Sequence, residues 1–322
     1  MSFSKDNYDA TLTERGASKN AQPFISQGLA QPDEEFKKIE LASLIKFFAN
    51  PAKFFLNQRL GIFLEEKTPV LSEREPFDLN GLEKYAFEQT LLQKSLANAD
   101  LAEYLFAVKA SGKIPPGNVG EYLYQKSREE VERFAHTVKP YITGTPFDPV
   151  EFNLKIADYA LFGKIDTIFE LGLIHYRYTK VKVKDRLKVW IYHLVLNSME
   201  RAPYPKRSTL IGADTMLVLL PVQESNKILL DLIKKYWEGL SKPLLFFPET
   251  SCKYAHALLE KKMPDEEAMR KARDEWEGND YYRGESHEPS FQLCFGKGDP
   301  LDAEFRKIAK EIFEPMIKNS VS

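Results

Sequence analysis

The chain has 322 residues, 43% of them hydrophobic, with 45 basic against 47 acidic side chains and a formal net charge of −2. That length suits one large domain or two small ones and can bury a full core. The balanced charge excludes a whole-molecule field for nucleic acid or anionic lipid, so any such affinity has to come from a local patch.

Cys252 and Cys294 stand far apart, with no CxxC or Cys/His spacing, which gives no support to structural zinc or an iron–sulfur cluster. No cofactor is expected. The opening Met1 to Asp6 lacks the apolar core of a signal peptide. No apolar run approaches the ~20 residues that span a bilayer. The expectation is a cytoplasmic protein that does not engage a membrane.

Residues 1 to 35 are polar, rich in Ser, Asn, Gln and Gly, and without sustained periodicity; they read as a flexible arm or linker. The domain proper is expected over 36–322, with a helical part over about 36–140 and an α/β core over about 150–322. Leu41 to Leu64 repeats its apolar residues at helical spacing, with Asn50-Pro51 as a break and restart, ending near Gly61. A charged helix follows from Leu82 to Leu96. After the loop Lys113-Ile114-Pro115-Pro116-Gly117 comes another, from Asn118 or Glu121 to Phe134. Phe152 to Tyr159, Leu161 to Phe169 and Leu173 to Tyr178 are strands, with bends at Phe162-Gly163 and Glu170-Leu171-Gly172. A helix from Asp185 to Leu196 precedes strands Thr209 to Ile211 and Met216 to Leu220. Val222 to Leu240 is a long amphipathic helix, Pro243 to Phe247 a last short strand, and helices near Asp265 to Trp276 and Asp302 to Ile317 close the chain.

Helices around one mixed sheet of about five strands make an α/β domain with a helical N-terminal half. The order strand, strand, strand, helix, strand is that of the restriction-endonuclease-like, PD-(D/E)xK-type core. Phosphodiester hydrolysis on that core needs carboxylates to hold Mg²⁺ and a cation to steady the attacking water. Asp166 fits the acid that ends the first strand of the site. On the second strand Arg177 takes the acid's place and Thr179 the lysine's. Lys180 comes one residue late and so faces the other side. A guanidinium there is expected to pair with Asp166 and to repel a divalent cation. The site reads as catalytically degenerate, with no catalytic residue and no metal.

From Arg177 to Lys188 the chain carries six basic residues (Arg177, Lys180, Lys182, Lys184, Arg186, Lys188) and one acid, Asp185, interleaved with Tyr176 and Tyr178. These are the candidates for phosphate contact and base stacking; a solvated strand-to-helix turn is the other reading. The histidines at 136, 175, 193, 256 and 287 form no ligand pair and read as structural. Glu35-Phe36-Lys37 and Glu260-Lys261-Lys262 match an acid-x-Lys unit outside strand context and read as chance. Trp276, Tyr281 and Tyr282, beside Asn279 and Arg283, read either as core or as an exposed contact surface.

The stretches Leu44 to Ile62 (LIKFFANPAKFFLNQRLGI), Glu75 to Glu83 (EPFDLNGLE) and Pro243 to Glu249 (PLLFFPE) resemble the RecC family, the gamma subunit of bacterial exodeoxyribonuclease V, over the C-terminal part of that much longer chain. The resemblance implies a fold related to the nuclease domain of the beta subunit, with its catalytic residues lost. Active relatives carry Asp-Tyr-Lys on the second strand and Gln-x-x-x-Tyr on the next helix. The equivalents here are Arg177-Tyr178-Thr179 and Lys188-x-x-x-Tyr192, so only Asp166, Tyr178 and Tyr192 are kept. It further implies DNA (forked or single-stranded) and the alpha and beta subunits as partners, within an ATP-dependent helicase–nuclease of double-strand break repair and recombination. There the intact subunit helps split the duplex, guides the strands and takes part in hotspot recognition. Three readings follow: a non-catalytic DNA-handling domain, a docking module without DNA contact, and a residual Mg-dependent nuclease using Asp166 with an acid such as Asp158 or Glu170.

Overall fold

A computed structural model describes residues 28–64, 81–112, 114–199, 203–296 and 298–321. Most of the expected N-terminal arm and the EPFDLN part of the family-like stretch lie outside the described residues.

Strand β1 (Lys38–Glu40) leads into helices α1 (Leu41–Ala49) and α2 (Pro51–Arg59). The expected restart at Asn50-Pro51 has an N-cap's geometry. Asn50 Oδ1 accepts from the Lys53 N–H at 2.9 Å, and Pro51 opens the first turn, where no N–H is needed. Helices α3 (Gly81–Leu96), α4 (Leu101–Ala110) and α5 (Gly117–Val138) follow. The sequence did not announce α4: it buries only Leu101 and Val108, too thin a stripe to stand out. What starts it is Asp100, whose Oδ1 accepts from the Ala102 N–H at 2.7 Å.

Next come β2 (Val150–Ile156), β3 (Tyr159–Ile165), β4 (Ile168–Phe169), β5 (Gly172–Arg177), α6 (Val183–Ser198), β6 (Ser208–Gly212) and β7 (Met216–Leu219). Helices α7 (Ser225–Gly239) and α8 (Pro248–Ala255) precede a π-helical turn over His256–Glu260. The chain closes with α9 (Asp265–Glu277), the short hairpin β8 (Gly278–Asn279) and β9 (Tyr282–Arg283), α10 (Pro289–Phe295), α11 (Ala303–Lys318) and β10 (Ser320–Val321).

Apart from the β8–β9 hairpin, the single sheet expected from the sequence is two among the described residues. One has the order β1-β3-β2, the other β10-β7-β6-β5-β4. The divide falls at Asp166-Thr167, just past the end of β3. Thr167 adopts φ 62°, a left-handed conformation that a β-branched residue rarely takes, and the chain leaves one ladder there and joins the next. The expected bend at Phe162-Gly163 is therefore displaced a few residues on. Gly163 instead serves a close approach, since a Cβ there would lie 2.9 Å from Leu41 Cβ. In the larger sheet β4 and β5 form an antiparallel pair, and β5 runs parallel to β6 through α6. Strands β6, β7 and β10 continue antiparallel. The expected bend before β5 is present: a Cβ on Gly172 would sit 2.2 Å from the Arg207 carbonyl oxygen.

Pro243 to Phe247 is not a strand. It is an irregular lead into α8 whose Phe246 and Phe247 are fully buried. A short apolar run has no period to separate strand from packed coil, so the sequence could not decide.

The chain divides into two compact units, one formed by Met1–Lys37, Lys46–Leu64 and Asp231–Ile317, the other by Lys38–Ile45, Glu65–Leu230 and Lys318–Ser322. The first has an aromatic core centred on Phe247, whose ring lies 4.3 Å from Trp276, 5.0 Å from Phe291 and 5.2 Å from Phe295. Trp276 thus belongs to the core, whereas Tyr281 and Tyr282 are exposed. The second unit packs α3, α4 and α5 over Ile174 and Ile211 of the larger sheet. Phe247→Ala removes a fully buried ring with aromatic neighbours on several sides and should cost about 3–5 kcal/mol, read as a lower urea midpoint. Phe106→Ala, at a residue 76% exposed, should leave that midpoint within about 0.5 kcal/mol of the unmodified chain.

Candidate functional site

Strand β5 turns Ile174 into the helical core of its unit. Alternation sends its neighbours His175 and Arg177 to the opposite face, where His175 meets Tyr192 of α6. Arg177 Nη1 donates to both oxygens of Asp185, at 2.9 and 2.7 Å, and its Nε donates to Thr179 Oγ1. The expected partner was Asp166, and the structure corrects this. Asp166 sits past the end of β3, exposed, before the left-handed turn at Thr167. Asp185, on the first turn of α6, presents both oxygens to one guanidinium nitrogen. Its Oδ2 also accepts the Lys182 N–H at 3.0 Å, so one carboxylate both opens the helix and neutralises Arg177.

Behind this pair lies a small polar cluster. The rings of His175 and Tyr192 are 5.4 Å apart, and Lys188 Nζ stands 5.9 Å from the Tyr192 ring centroid. Burial, helped by the charge of Lys188, holds His175 down at a pKa of about 4 against the opposing pull of Asp166 and Asp185. The imidazole is therefore neutral. Its Nε2 and the Thr167 hydroxyl are enclosed and have no hydrogen-bond partner among the described residues. Burial also raises the Tyr192 phenol, with Asp166 adding to the shift.

The structure thus brings Asp166, Arg177, Thr179, Lys188 and Tyr192 to one region. It does not bring the alternative acids there. Asp158 lies in the turn before β3 and Asp166 just after its end, so the length of β3 separates them by roughly 26 Å. Glu170 is exposed on the β4–β5 turn. Among the described residues no three of His, Cys, Asp and Glu gather as a metal-binding group.

The basic stretch divides by exposure. Lys180, Lys182, Lys184 and Lys188 are exposed, Arg186 is half-buried, and Arg177 is held in its ion pair. Of the tyrosines, Tyr176 is 36% exposed. Tyr178 is packed with the helical core, its ring 5.4 Å from Phe134 and its hydroxyl 3.5 Å from Glu130 Oε2, with burial pushing its pKa up. The turn is anchored: the Val181 N–H reaches Asp214 Oδ1 at 2.9 Å, and the Ala213 N–H reaches the Thr179 carbonyl at 3.1 Å.

The structural reading of His193 agrees with its surroundings. Its Nδ1 meets Ser208 Oγ at 2.8 Å and its Nε2 the Leu220 carbonyl at 3.0 Å, tying α6 to the sheet, and burial lowers its pKa to about 4. Sequence reasoning missed Lys206, whose Nζ donates to the carbonyls of Leu196 and Met199 at 2.6 and 2.7 Å, meeting the unsatisfied oxygens at the end of α6. No local signal marks it, because the partners come together only when the loop folds back.

Two outcomes follow. Asp185→Ala strips Arg177 of its acid and α6 of its first-turn carboxylate and should cost about 1–3 kcal/mol by chemical denaturation. For His175 and His193 the folded pKa of about 4 lies below the ordinary 6.5, so folding favours the neutral ring. Their contribution is fully present above pH 6.5 and is lost as pH falls toward 4, because the unfolded chain takes up the protons first. Stability measured over that window should drop by on the order of 1–3 kcal/mol per histidine, and His193→Gln should flatten the slope.

The RecC C-terminal domain model matches residues 36–259. Over 294 residues the chain is 25% identical to the RecBCD enzyme subunit RecC of Buchnera aphidicola subsp. Schizaphis graminum, covering 88% of this chain and 27% of that protein. It is 25% identical over 291 residues to the RecBCD enzyme subunit RecC of Escherichia coli K12, covering 88% of this chain and 25% of that protein. For the Haemophilus influenzae subunit the figures are 27% over 220 residues, 66% and 19%. The chain therefore spans about a quarter of the length of the curated relatives it matches. With the family's C-terminal domain matched over more than half of its residues, the chain belongs to the RecC C-terminal domain family.

Proposed function

We propose that this chain is a non-catalytic DNA-handling and assembly domain of a RecBCD-type exodeoxyribonuclease V, acting in the cytoplasm in double-strand break repair and recombination. The observation that carries the reading is the Arg177–Asp185 clamp. A cation stands where a hydrolytic site would need an acid, and it occupies both oxygens of the carboxylate on the adjoining helix turn. A divalent ion at Asp185 would have to displace the guanidinium nitrogen that both carboxylate oxygens hold, and Asp166 alone offers it too few oxygens.

The topology supports a nuclease-derived scaffold. It does so in part: β5, then α6, then β6 parallel to β5 give the strand, helix, strand portion of the order, while β2 and β3 belong to the smaller sheet. Lys180, Lys182, Lys184 and Lys188 supply exposed charge for backbone phosphates beside the half-exposed Tyr176. The relatives are named as subunits of an enzyme complex, which supports alpha and beta subunits as partners. A docking role without DNA contact is favoured by one other feature: Phe106, Val119 and Tyr122 on α4 and α5 are 76%, 57% and 67% exposed.

Binding of the full chain to forked DNA across a salt series separates the two readings. Replacing Lys180, Lys182, Lys184 and Lys188 together with Ala should weaken binding and reduce the salt slope by about 0.7–0.9 for each phosphate that is no longer neutralised. Unchanged affinity and slope would remove the patch from DNA handling, and absence of binding even at low salt would favour the docking role. Linear DNA with Mg²⁺ or Mn²⁺ should stay intact; cleavage that Asp166→Ala abolishes would overturn the non-catalytic reading.

A further inference from the structure

Helix α8 opens without a cap of its own. Its N-cap position is Phe247, which has no polar side chain, and Pro248 follows, so the Glu249 and Thr250 N–H groups have no helical acceptor. A residue remote in the chain takes both. Glu285 lies on the 3₁₀ turn Glu285–His287, between the β8–β9 hairpin and α10. Its Oε1 accepts from the Glu249 N–H at 3.1 Å and its Oε2 from the Thr250 N–H at 2.7 Å. The Thr250 hydroxyl is fully buried against the same carboxyl group, short of a standard hydrogen bond to it, and has no other partner among the described residues. A neutral carboxylic acid suits this setting. One oxygen accepts from the helix, and the acid's O–H supplies the donor that Thr250 Oγ1 lacks.

We infer that Glu285 is a proton-dependent latch: with a proton held between its carboxyl group and Thr250 Oγ1 it fastens the 3₁₀ turn to α8, and loss of that proton loosens the fastening. Burial pushes the carboxyl up from the ordinary 4.5 to about 7, and the like charge of Glu249 adds to the shift, against the pull of the Glu249 and Thr250 donors. Glu285 has no ion-pair partner among the described residues. The cations on the neighbouring helices are drawn elsewhere. Lys253 of α8 lies 3.9 Å from Glu275, and Arg273 of α9 lies 2.8 Å from Asp299 and 3.8 Å from Glu277. Helix α10 carries no charged side chain. On the turn itself His287 is exposed, and Glu288 Oε1 accepts from Asn50 and Ser290. The folded chain therefore favours the neutral acid, a contribution fully present below pH 4.5 and lost as pH rises through about 7. The latch follows directly on the hairpin, whose Asn279 and Tyr282 wall a cleft of about 320 Å³ with Lys271, Asp274 and Glu275, so it governs how firmly that wall is held.

Backbone amide hydrogen exchange in the full chain, corrected for the intrinsic rate at each pH, reads the latch at Glu249 and Thr250. Their opening should rise about twentyfold between about pH 5.5 and 7.5, the ratio set by a carboxyl shift from 4.5 to about 7. The amide of Ala309, buried on α11, should not follow. Glu285→Gln, whose amide accepts from α8 and donates to Thr250 Oγ1 at any pH, should hold the opening constant within about twofold. The ¹³C signal of the Glu285 carboxyl should titrate near 7, and Thr250→Val should move that midpoint down, because the acid loses its acceptor. A midpoint that moves up or stays in Thr250→Val would overturn the inference. So would titration at the ordinary 4.5, a Glu285→Gln chain that keeps the pH dependence, or a rise that Ala309 shares.

Discussion

The candidate site is organised by the ion pair between Arg177 and Asp185. The two groups are partly buried, with side-chain exposures of 27% and 19%, so water weakens their attraction less than on an open surface. Contact of both Asp185 oxygens with Nη1, with Nε held by Thr179, fixes the guanidinium between the end of β5 and the start of α6. The same carboxylate receives a backbone N–H at the helix entry. A single acid therefore sets where α6 begins, cancels the charge of the strand, and is spent as a metal ligand. Around this pair His175 is neutral, Asp166 is exposed and Lys188 lies over an aromatic ring.

The second constraint is the left-handed Thr167. A β-branched residue tolerates that conformation only where its surroundings hold it. Here the Phe147 N–H reaches the Ile168 carbonyl at 2.8 Å, and the Ile174 N–H reaches the Thr167 carbonyl at 2.9 Å. By turning the chain at this point, Thr167 ends one ladder and starts another. That leaves Asp166 exposed at a strand end and β2 at the edge of the smaller sheet among the described residues. The character of the site and the position of the edge have this one backbone turn in common.

Much of the architecture was legible because its signals are local. The Asn50-Pro51 restart, the strands around Asp166 and the helix after β5, and the charged turn from Lys180 to Lys188 each depend on residues close in the chain. So does the strand phase that puts Arg177 on the same face as His175, since side-chain alternation in a strand needs no knowledge of its neighbours. The missed elements were those with weak or non-periodic signals: α4 with its thin buried stripe, and Pro243 to Phe247, whose apolar run served a packed coil.

The sequence by itself determined which side chains the candidate site could contain, because charge and strand phase are properties of the chain. Tertiary structure decided how they pair. Arg177 had two acids to choose from, Asp166 eleven residues before it and Asp185 eight after it, and only the turn at Thr167 and the docking of α6 put one in reach. The same holds for Tyr178, which reads as an available ring until α5 places Phe134 against it, and for Lys206, whose carbonyl partners sit at a helix end. Pairing energy falls steeply with distance, and distances between residues remote in the chain are set by folding rather than by spacing along it.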